Sequence, residues 1–275
     1  MSHRWALSLN AEGGGPSLTM AGRQRMVEWF RHAVAQRSPA VVFAQETTDE
    51  LLAAAREAGY GITLGSEPQW RPRSAILTAE DIRVEPLDPR QWPTLSYHGS
   101  YLAAGTWRNS PIGEVTLVSV HASPKPVEPE LYAWPVHLPE ARTGGGDPRW
   151  KPEVLWDSDL VLSTLGLMAH GRSPLLAVGD FNESRLHDFD NSGRQLGTWG
   201  VEFFERAARL GLVDFTLAIV GVEIPTREGL QLDHILGTAS AQELFAHPPV
   251  IEPDEAWAGG SGPSDHTALW FLLDV

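Results

Sequence analysis

Hydrophobic and polar positions in the first sixty residues follow an order that predicts strand, helix, strand and helix in turn. Residues 4–10 alternate loosely, as a half-buried strand does. Between about 19 and 37, apolar side chains recur at helical spacing, and residues 40–44 form the short apolar run of a buried strand. A second helix is predicted at about 49–58.

The middle of the chain changes to short apolar segments that are separated by turn signals. This pattern favours antiparallel pairing, and the predicted strands lie at 75–77, 82–84, 101–107 and 115–120. Residues 122–152 are then rich in proline, glycine and tryptophan and show no periodicity. The stretch is too long for a plain connection, so we expect it to be either functional or mobile.

Longer periodic segments return in the second half of the chain. Helices are predicted at about 153–170 and 199–210, and strands at about 231–236 and 267–273. The sequence shows no internal repeat and no low-complexity linker. Residues 1–275 are therefore expected to form a single domain, with an insertion at about 122–152.

One stretch of the second half combines an apolar run with polar residues at its end. Residues 174–178 read Pro-Leu-Leu-Ala-Val, and Gly179-Asp180-Phe181-Asn182 follow directly. The pattern predicts a buried strand that delivers a carboxylate and an amide to its C-terminal end, where α/β sheets often place their chemistry. An ordinary Asp-Phe-Asn turn after a strand is the alternative on this segment alone.

Composition narrows the classes of function. The net charge is −14, from 21 basic and 35 acidic residues. Proteins that bind duplex DNA regardless of sequence usually carry a basic face, which this chain could have only locally. The excess of carboxylates suits divalent cations better than polyanions. There is no cysteine, so a disulfide framework, a thiolate metal site and a thiol nucleophile are excluded.

The location of the protein is suggested by what the sequence lacks. No apolar run has transmembrane length, and the N-terminus lacks the apolar stretch of a signal peptide. We expect a cytoplasmic protein without a membrane partner, and no obligate protein partner is evident.

Five predicted strand ends carry a polar residue that could bind a ligand. Each has an ordinary explanation, such as a turn, a helix cap or a buried histidine with its hydrogen bonds satisfied. Because all five lie at equivalent places in a sheet-rich chain, a shared functional site is favoured over five separate structural explanations. They are Asn10, Glu46, His121, Asp180 with Asn182, and Asp265 with His266.

These residue types suit the hydrolysis of a phosphoester. Glu46 is an oxygen ligand for Mg²⁺ or Mn²⁺, which bind through one or two carboxylates together with substrate phosphate. Asp180 or His266 could orient or deprotonate the attacking water, and Asp233 could accept a hydrogen bond from His266. A protonated His121 could stabilise the negative charge on phosphorus or assist the leaving oxygen.

Taken together, these motifs resemble the ordered series of the endonuclease/exonuclease/phosphatase superfamily. Gly179-Asp180-Phe181-Asn182 and the terminal Ser264-Asp265-His266 are specific as a pair. The resemblance runs from about residue 4 to 273. It implies an α/β four-layer sandwich, in which two packed, mostly antiparallel β-sheets are flanked by helices, and Mg²⁺-dependent cleavage of phosphoester bonds.

The resemblance also implies a role for each matching residue. Glu46 becomes the principal metal ligand, with Asn10 beside it and Asp265 as a further or second-metal ligand. The neutral amide of Asn10 could also hold a substrate phosphate oxygen. Asp180 and Asn182 become the pair that orients water and binds phosphate. His266, supported by Asp233, becomes the general base or a phosphate contact. His121 stands where the deoxyribonuclease and phosphatase branches have histidine, but the sequence does not identify its acidic partner.

The substrate is expected to be chosen by the loops. In the 122–152 insertion, Trp134, Arg142 and Arg149 could stack on bases and hold phosphates. A proline-rich cover over the sandwich edge is the alternative, and it is slightly favoured. Arg73 stands near the place where substrate contacts often fall in the family.

Three functions remain open after the sequence is read. A metal-dependent phosphodiester hydrolase is favoured, most of all a nuclease, with single-stranded nucleic acid favoured over duplex or with a small nucleotide as substrate. A phosphomonoesterase that acts on a small phosphorylated metabolite is the alternative within enzymes. A catalytically silent binding protein on the same scaffold is the alternative from a different class.

Overall fold

Two six-stranded β-sheets pack face to face between two layers of helices. The computed structural model describes residues 2–11, 19–65, 73–88, 102–127, 139–144, 154–171, 173–254 and 263–275. The fold is therefore the four-layer α/β sandwich that the motif series implies. None of the described helices is both long enough and apolar enough to cross a membrane.

Twelve strands form the two sheets. In chain order they are β1 (His3–Asn10), β2 (Val41–Thr47), β3 (Gly61–Leu64), β4 (Arg73–Thr78), β5 (Val84–Pro86), β6 (Leu102–Ser110), β7 (Gly113–His121), β8 (Leu175–Asp180), β9 (Leu212–Asp214), β10 (Asp233–Thr238), β11 (Ile251–Pro253) and β12 (Leu269–Asp274). The helices are α1 (Met20–Arg37), α2 (Asp49–Glu57), α3 (Asp157–Ala169), α4 (Trp199–Arg209) and α5 (Phe215–Val220), with short 3₁₀ helices at Arg185–Asp188 and Ala239–Leu244.

The two sheets share one pattern of strand directions. Their orders are β11-β12-β1-β2-β4-β3 and β5-β6-β7-β8-β10-β9. In each sheet the central pair, β1–β2 or β7–β8, is parallel. The other described pairs are antiparallel. Because parallel neighbours need a crossover connection, α1 lies between β1 and β2 in the chain, and α3 lies between β7 and β8.

Alternating side chains along the central strands build three apolar layers. In β2, Val41 and Phe43 face the core between the sheets, whereas Val42 and Ala44 face the layer under α1 and α2. Successive side chains of a strand point to opposite faces, so a strand buried on both sides reads as a continuous apolar run. The β8 run does the same against α3 and α4.

Several predicted boundaries differ from the structure, and some short elements were missed. The strand expected at 82–84 starts only at Val84, because Ile82 is buried against the central core without strand pairing. The strands at Gly61–Leu64 and Leu212–Asp214 and the helix at Phe215–Val220 were not predicted. Each spans six residues or fewer, which is too short for a periodic pattern to develop.

The sheets approach each other closely beside the ends of β2 and β8. Gly179 has a φ of +138°, and a Cβ atom there would lie 2.2 Å from the Val120 carbonyl oxygen and 2.5 Å from Gln45 Nε2. The buried Gln45 side chain donates to Ser119 Oγ of the opposite sheet at 3.0 Å. Glycine is therefore required at 179 to admit this bridge.

Candidate active site

Four central strands end at the same edge of the sandwich and carry the polar residues singled out in the sequence. Asn10 ends β1, Glu46 lies near the end of β2, His121 ends β7 and Asp180 ends β8. Parallel register places His121 opposite Asp180. Because parallel strands end at the same edge of a sheet, the chain brings these side chains together by topology.

Asp180 is the centre of this group. Its carboxylate is almost fully buried and accepts hydrogen bonds from the Asn182 backbone N–H at 2.8 Å and from Asn182 Nδ2 at 3.0 Å. Asn10 Nδ2 donates to it at 3.2 Å. His121 Nε2 and His266 Nε2 lie 3.9 Å and 3.7 Å from Asp180 Oδ2. The two amides thus fix the carboxylate, and the two imidazoles face it.

Asn182 owes its position to an unusual backbone. Its φ is +51°, a left-handed conformation that asparagine tolerates better than most residues. This bend turns the side chain back so that Nδ2 also donates to the Ala122 carbonyl at 2.6 Å. Asn182 therefore links the end of β8 to the segment that follows His121.

Glu46 leaves the strand ladder at a bulge. The β2–β4 register shifts between Ala44 and Thr47, and Glu46 has a φ of +50°. A bulge re-aims a side chain next to a site, and here it places Glu46 Oε1 3.4 Å from His121 Nε2. The Glu46 side chain is 18% exposed, so it is partly accessible to solvent.

His266 and Asp233 form the predicted pair. Their Nδ1 and Oδ2 atoms are 2.8 Å apart, and both side chains are buried. Thr226 Oγ1 accepts from the Asp233 backbone N–H at 3.1 Å, and Ser264 Oγ accepts from that of His266 at 3.1 Å. The pair therefore directs Nε2 of His266 towards Asp180, as a third group orients an imidazole in a triad.

The site carries a surplus of negative charge, and the pKa values of its groups reflect it. Burial raises the pKa of Asp180 above its usual value and Asp233 adds to the rise, whereas the two imidazoles oppose it. Burial alone would lower the pKa of His266, but the charges of Asp233 and Asp180 outweigh it and raise that pKa. The raised pKa of His266 favours its positive form beside these acidic neighbours. The raised pKa of Asp180 makes its carboxylate accept a proton more readily than an exposed aspartate would.

Asp265 lies at the outer edge of the site. Its side chain is 36% exposed and pairs with Arg227 Nη2 at 2.7 Å. Its Oδ1 lies 4.0 Å from His266 Nε2. Arg227 was not singled out in the sequence, because nothing in Thr226-Arg227-Glu228-Gly229 distinguishes it from an ordinary turn arginine.

The predicted substrate contacts have different outcomes. Arg73 begins β4 opposite Thr47, next to the bulge of Glu46, and is partly exposed. Trp134 and Arg149 lie outside the described residues, so they stay predictions. Arg142 was one of the loop arginines that could hold a phosphate, and the structure gives it a different role. It is fully buried and pairs with Glu183, with Nη1 2.8 Å from Oε2.

The donors at the site fit a divalent cation of the Mg²⁺ type. Within the described ranges, no group of three or more His, Asp or Glu side chains forms a ready-made cage. Mg²⁺ does not need one, because it keeps several waters and binds through one or two carboxylates and the substrate phosphate. Glu46 offers one partly exposed carboxylate of this kind, and Asn10 and Asp265 stay predictions as further ligands.

Comparison with known proteins identifies a family that covers most of the chain. A sequence model described as the Endonuclease/Exonuclease/phosphatase family matches residues 7–266. No curated protein sequence gave a match.

Solved structures share the fold over the whole chain. The 3′ phosphatase NExo from Neisseria, bound to a product DNA hairpin, gives a TM-score of 0.62 at 14% identity, covering 99% of this chain and 100% of that one. An AP endonuclease from Archaeoglobus fulgidus gives 0.60 at 16% identity over 99% and 100%. TDP2 from D. rerio, in complex with a single-strand DNA product, gives 0.57 at 14% identity over 100% of both chains. At these identities the likeness establishes the fold.

Proposed function

This chain belongs to the endonuclease/exonuclease/phosphatase family, and from that premise we propose that it is a Mg²⁺- or Mn²⁺-dependent phosphodiester hydrolase acting on nucleic acid. The observation that carries the proposal is the convergence on Asp180. Two amides and two imidazoles from other strand ends and loops lie within 4 Å of one buried carboxylate.

Each side chain has a part in the proposed reaction. Asp180, held by Asn10 and Asn182, positions the attacking water and accepts its proton as the new oxygen–phosphorus bond forms. Positive His266 donates a hydrogen bond from Nε2 to a non-bridging oxygen and stabilises the charge that develops there. His121 gives a proton to the leaving oxygen as its bond to phosphorus breaks. A metal ion held by Glu46 would polarise the phosphoryl group.

Nucleic acid is proposed as the substrate because of the structural neighbours. NExo is bound to a product DNA hairpin, and D. rerio TDP2 is bound to a single-strand DNA product. The net charge of −14 disfavours tight, sequence-independent binding to duplex, so single strands are proposed over duplex. A cytoplasmic location and action without an obligate protein partner remain part of the proposal.

Replacement of Glu46 by glutamine tests the metal site. E46Q keeps the size of the side chain but removes its charge, so we expect the hydrolysis rate to fall about a thousandfold, the effect of losing several kcal/mol of charge stabilisation. Rates are measured on single- and double-stranded DNA, RNA and bis-(p-nitrophenyl) phosphate, with Mg²⁺, with Mn²⁺ and with chelator.

The matched control is E57Q. Glu57 forms an exposed ion pair with Arg31 at 2.7 Å on the outer helices, and its loss should leave the rate unchanged. Hydrolysis that survives chelation, or that proceeds normally in E46Q, would contradict the metal mechanism.

A phosphomonoesterase is the second candidate, and the activity of one structural neighbour favours it. NExo is described as a 3′ phosphatase, so the same fold supports removal of a terminal phosphate in that protein. Release of inorganic phosphate from a panel of nucleotides and sugar phosphates, without cleavage of any diester, would favour this candidate. No turnover on either panel, with no Mg²⁺ binding by calorimetry, would instead favour a silent binding protein.

A further inference from the structure

A tight turn places one arginine against the reacting groups. Arg227 begins a turn that Leu230 closes, with backbone N–H groups of each residue donating to the carbonyl of the other at 3.0 and 2.8 Å. Glu228 and Gly229 between them have φ values of +49° and +82°. Two successive residues with positive φ make a compact turn of defined geometry.

The turn is held by the two segments that carry Asp233 and His266. Thr226 Oγ1 accepts from the backbone N–H groups of Leu232 at 2.9 Å and Asp233 at 3.1 Å. The Thr226 carbonyl accepts from the backbone N–H of Thr267 at 2.7 Å. Arg227 is therefore fixed relative to both members of the His266–Asp233 pair.

The guanidinium group touches the catalytic cluster directly. Arg227 Nη2 lies 2.7 Å from Asp265 Oδ2, and Nη1 lies 3.4 Å from His266 Nε2. That same nitrogen of His266 lies 3.7 Å from Asp180. Arg227 thus lies beside His266 Nε2, the atom that donates to a phosphate oxygen in the proposed reaction. The Arg227 side chain is 36% exposed.

The negative charge of the cluster explains why an arginine would help the site to bind a phosphate. Glu46, Asp180, Asp233 and Asp265 bring four carboxylates to a site that must admit an anion. An arginine presents five N–H donors in a planar fork that fits phosphate oxygens. An ion pair as exposed as Arg227–Asp265 adds little to stability, so a phosphate can share or replace Asp265 at little cost.

We propose that Arg227 is a substrate-binding residue that donates hydrogen bonds to a phosphate of the substrate, with Asp265 as its partner in the absence of substrate. The assignment rests on the proposed function and names the group that recognises the anion. The phosphate is either the scissile one or its immediate neighbour along a nucleic acid strand.

Replacement of Arg227 by alanine and by lysine tests the assignment in two assays. The first measures kcat and KM on a single-stranded oligonucleotide with Mg²⁺. The second measures affinity for a fluorescently labelled oligonucleotide by anisotropy in chelator, in the E46Q background. We expect R227A to raise KM and weaken affinity by about 10- to 100-fold, as loss of hydrogen bonds between charged groups does. R227K should lie between R227A and the wild type, because it keeps the charge but loses the fork.

The matched control is R194A. Arg194 pairs with Asp190 at 3.2 Å in an exposed loop, and its loss should change neither parameter. Thermal melts establish that each variant is folded. A fall in kcat with unchanged KM and affinity would overturn the assignment, because Arg227 would then act only through Asp265 and His266. Unchanged values in R227A, or a parent without affinity for the oligonucleotide, would overturn it as well.

The two assays separate this proposal from the proposed function. A wild-type protein that binds the oligonucleotide but hydrolyses no diester would overturn the proposed function. The difference in affinity between the E46Q and E46Q/R227A proteins would still decide the role of Arg227.

Discussion

Two buried clusters of charge lie on either side of residues 180–183, and they are built in opposite ways. Arg142 is fully buried and contacts Glu183, the hydroxyl of Ser158 and Asp159, while its guanidinium packs over Trp199 at 3.9 Å. Arg206 also lies 3.8 Å from Asp159 and pairs with Glu202 at 2.6 Å, so each charge of this cluster has a partner of opposite sign within the chain. Around Asp180, by contrast, four carboxylates face two imidazoles and one arginine.

The difference separates charge used for structure from charge used for chemistry. In the Arg142 cluster the partners of each charge belong to the chain, so the cluster fixes residues 139–144 against α3 and α4. In the Asp180 cluster the carboxylates outnumber the cationic side chains, and this surplus of negative charge suits the cation of the proposed mechanism. Removing a charge should therefore mainly lower stability in the Arg142 cluster and mainly lower activity in the Asp180 cluster.

The largest effect is expected for Asp180→Asn. Hydrolysis should fall about 10²- to 10⁴-fold, because the variant loses the group that accepts the proton of water. The free energy of unfolding in chelator should change by less than about 1 kcal/mol, because the variant also removes a buried negative charge that its surroundings disfavour. Single-turnover rates and urea unfolding at pH 7 measure the two quantities.

If D180N loses more free energy of unfolding than the activation free energy that its loss of rate represents, the proposed difference between the clusters is wrong. The control is E205Q, which alters an exposed helix carboxylate 4.0 Å from Arg209 and should affect neither quantity.

A smaller effect, but on stability, is expected for Arg142→Met. The variant keeps most of the side-chain volume and leaves Glu183 and Asp159 without their buried cation, which should cost about 3–5 kcal/mol. Burial already raises the pKa of Asp159 to about 6, although the charge of Arg142 opposes the shift. Urea unfolding measures the loss.

The double variant R142M/E183Q sharpens this prediction. It removes one of the two stranded charges and should recover part of the lost stability. If R142M is as stable as the wild type, the cluster has no structural role and the comparison fails.

The smallest effect is expected for Asp214→Asn at low pH. Asp214 pairs with Arg185 at 2.9 Å and lies 3.6 Å from His234, which donates to the Glu183 carbonyl at 2.8 Å. Burial would raise the pKa of Asp214, but the hydrogen bond and charge of His234 and the charge of Arg185 lower it to about 2.

The sign of the pH effect follows from this lowered pKa. A carboxyl whose pKa is lower in the folded state stabilises the protein above its unfolded pKa, near 4, and loses that contribution as pH falls towards 2. The wild type should therefore lose about 2 kcal/mol over this window that D214N does not lose. Urea unfolding of both proteins at pH 4, 3 and 2 measures the difference, and parallel curves would contradict it.

Most of the fold could be predicted because its central strands and long helices carry clear periodic patterns. Helices α1 and α2 begin at side-chain caps formed by Thr19 and Thr48. Threonine is a preferred residue at this position, so the sequence indicates both starts. Short edge strands such as Gly61–Leu64 could not be found in this way. They exist because a neighbouring strand offers hydrogen bonds, and that information is not local.

The candidate site was accessible from the sequence for a related reason. A polar residue at the end of an apolar run marks a strand end, and several such ends must meet when the strands share a sheet. The roles of Arg227 and Arg142 were not predicted, because they depend on partners 38 and 41 positions away in the chain. The first arginine looked like part of a turn and the second like part of a binding loop, and only the packing distinguishes them.

The matching strand directions of the two sheets have a consequence for the direction of the proposed reaction. In chain order, β5 to β10 fill their sheet as β11, β12 and β1 to β4 fill the other, so the two halves share one strand topology although the sequence shows no repeat. One half brings an amide and a glutamate to the common edge of strand ends, and the other brings a histidine and an aspartate. In the proposed reaction, a phosphorus atom held between the halves would meet unlike groups on its two sides. Two halves of the same topology would thereby provide an entering side and a leaving side.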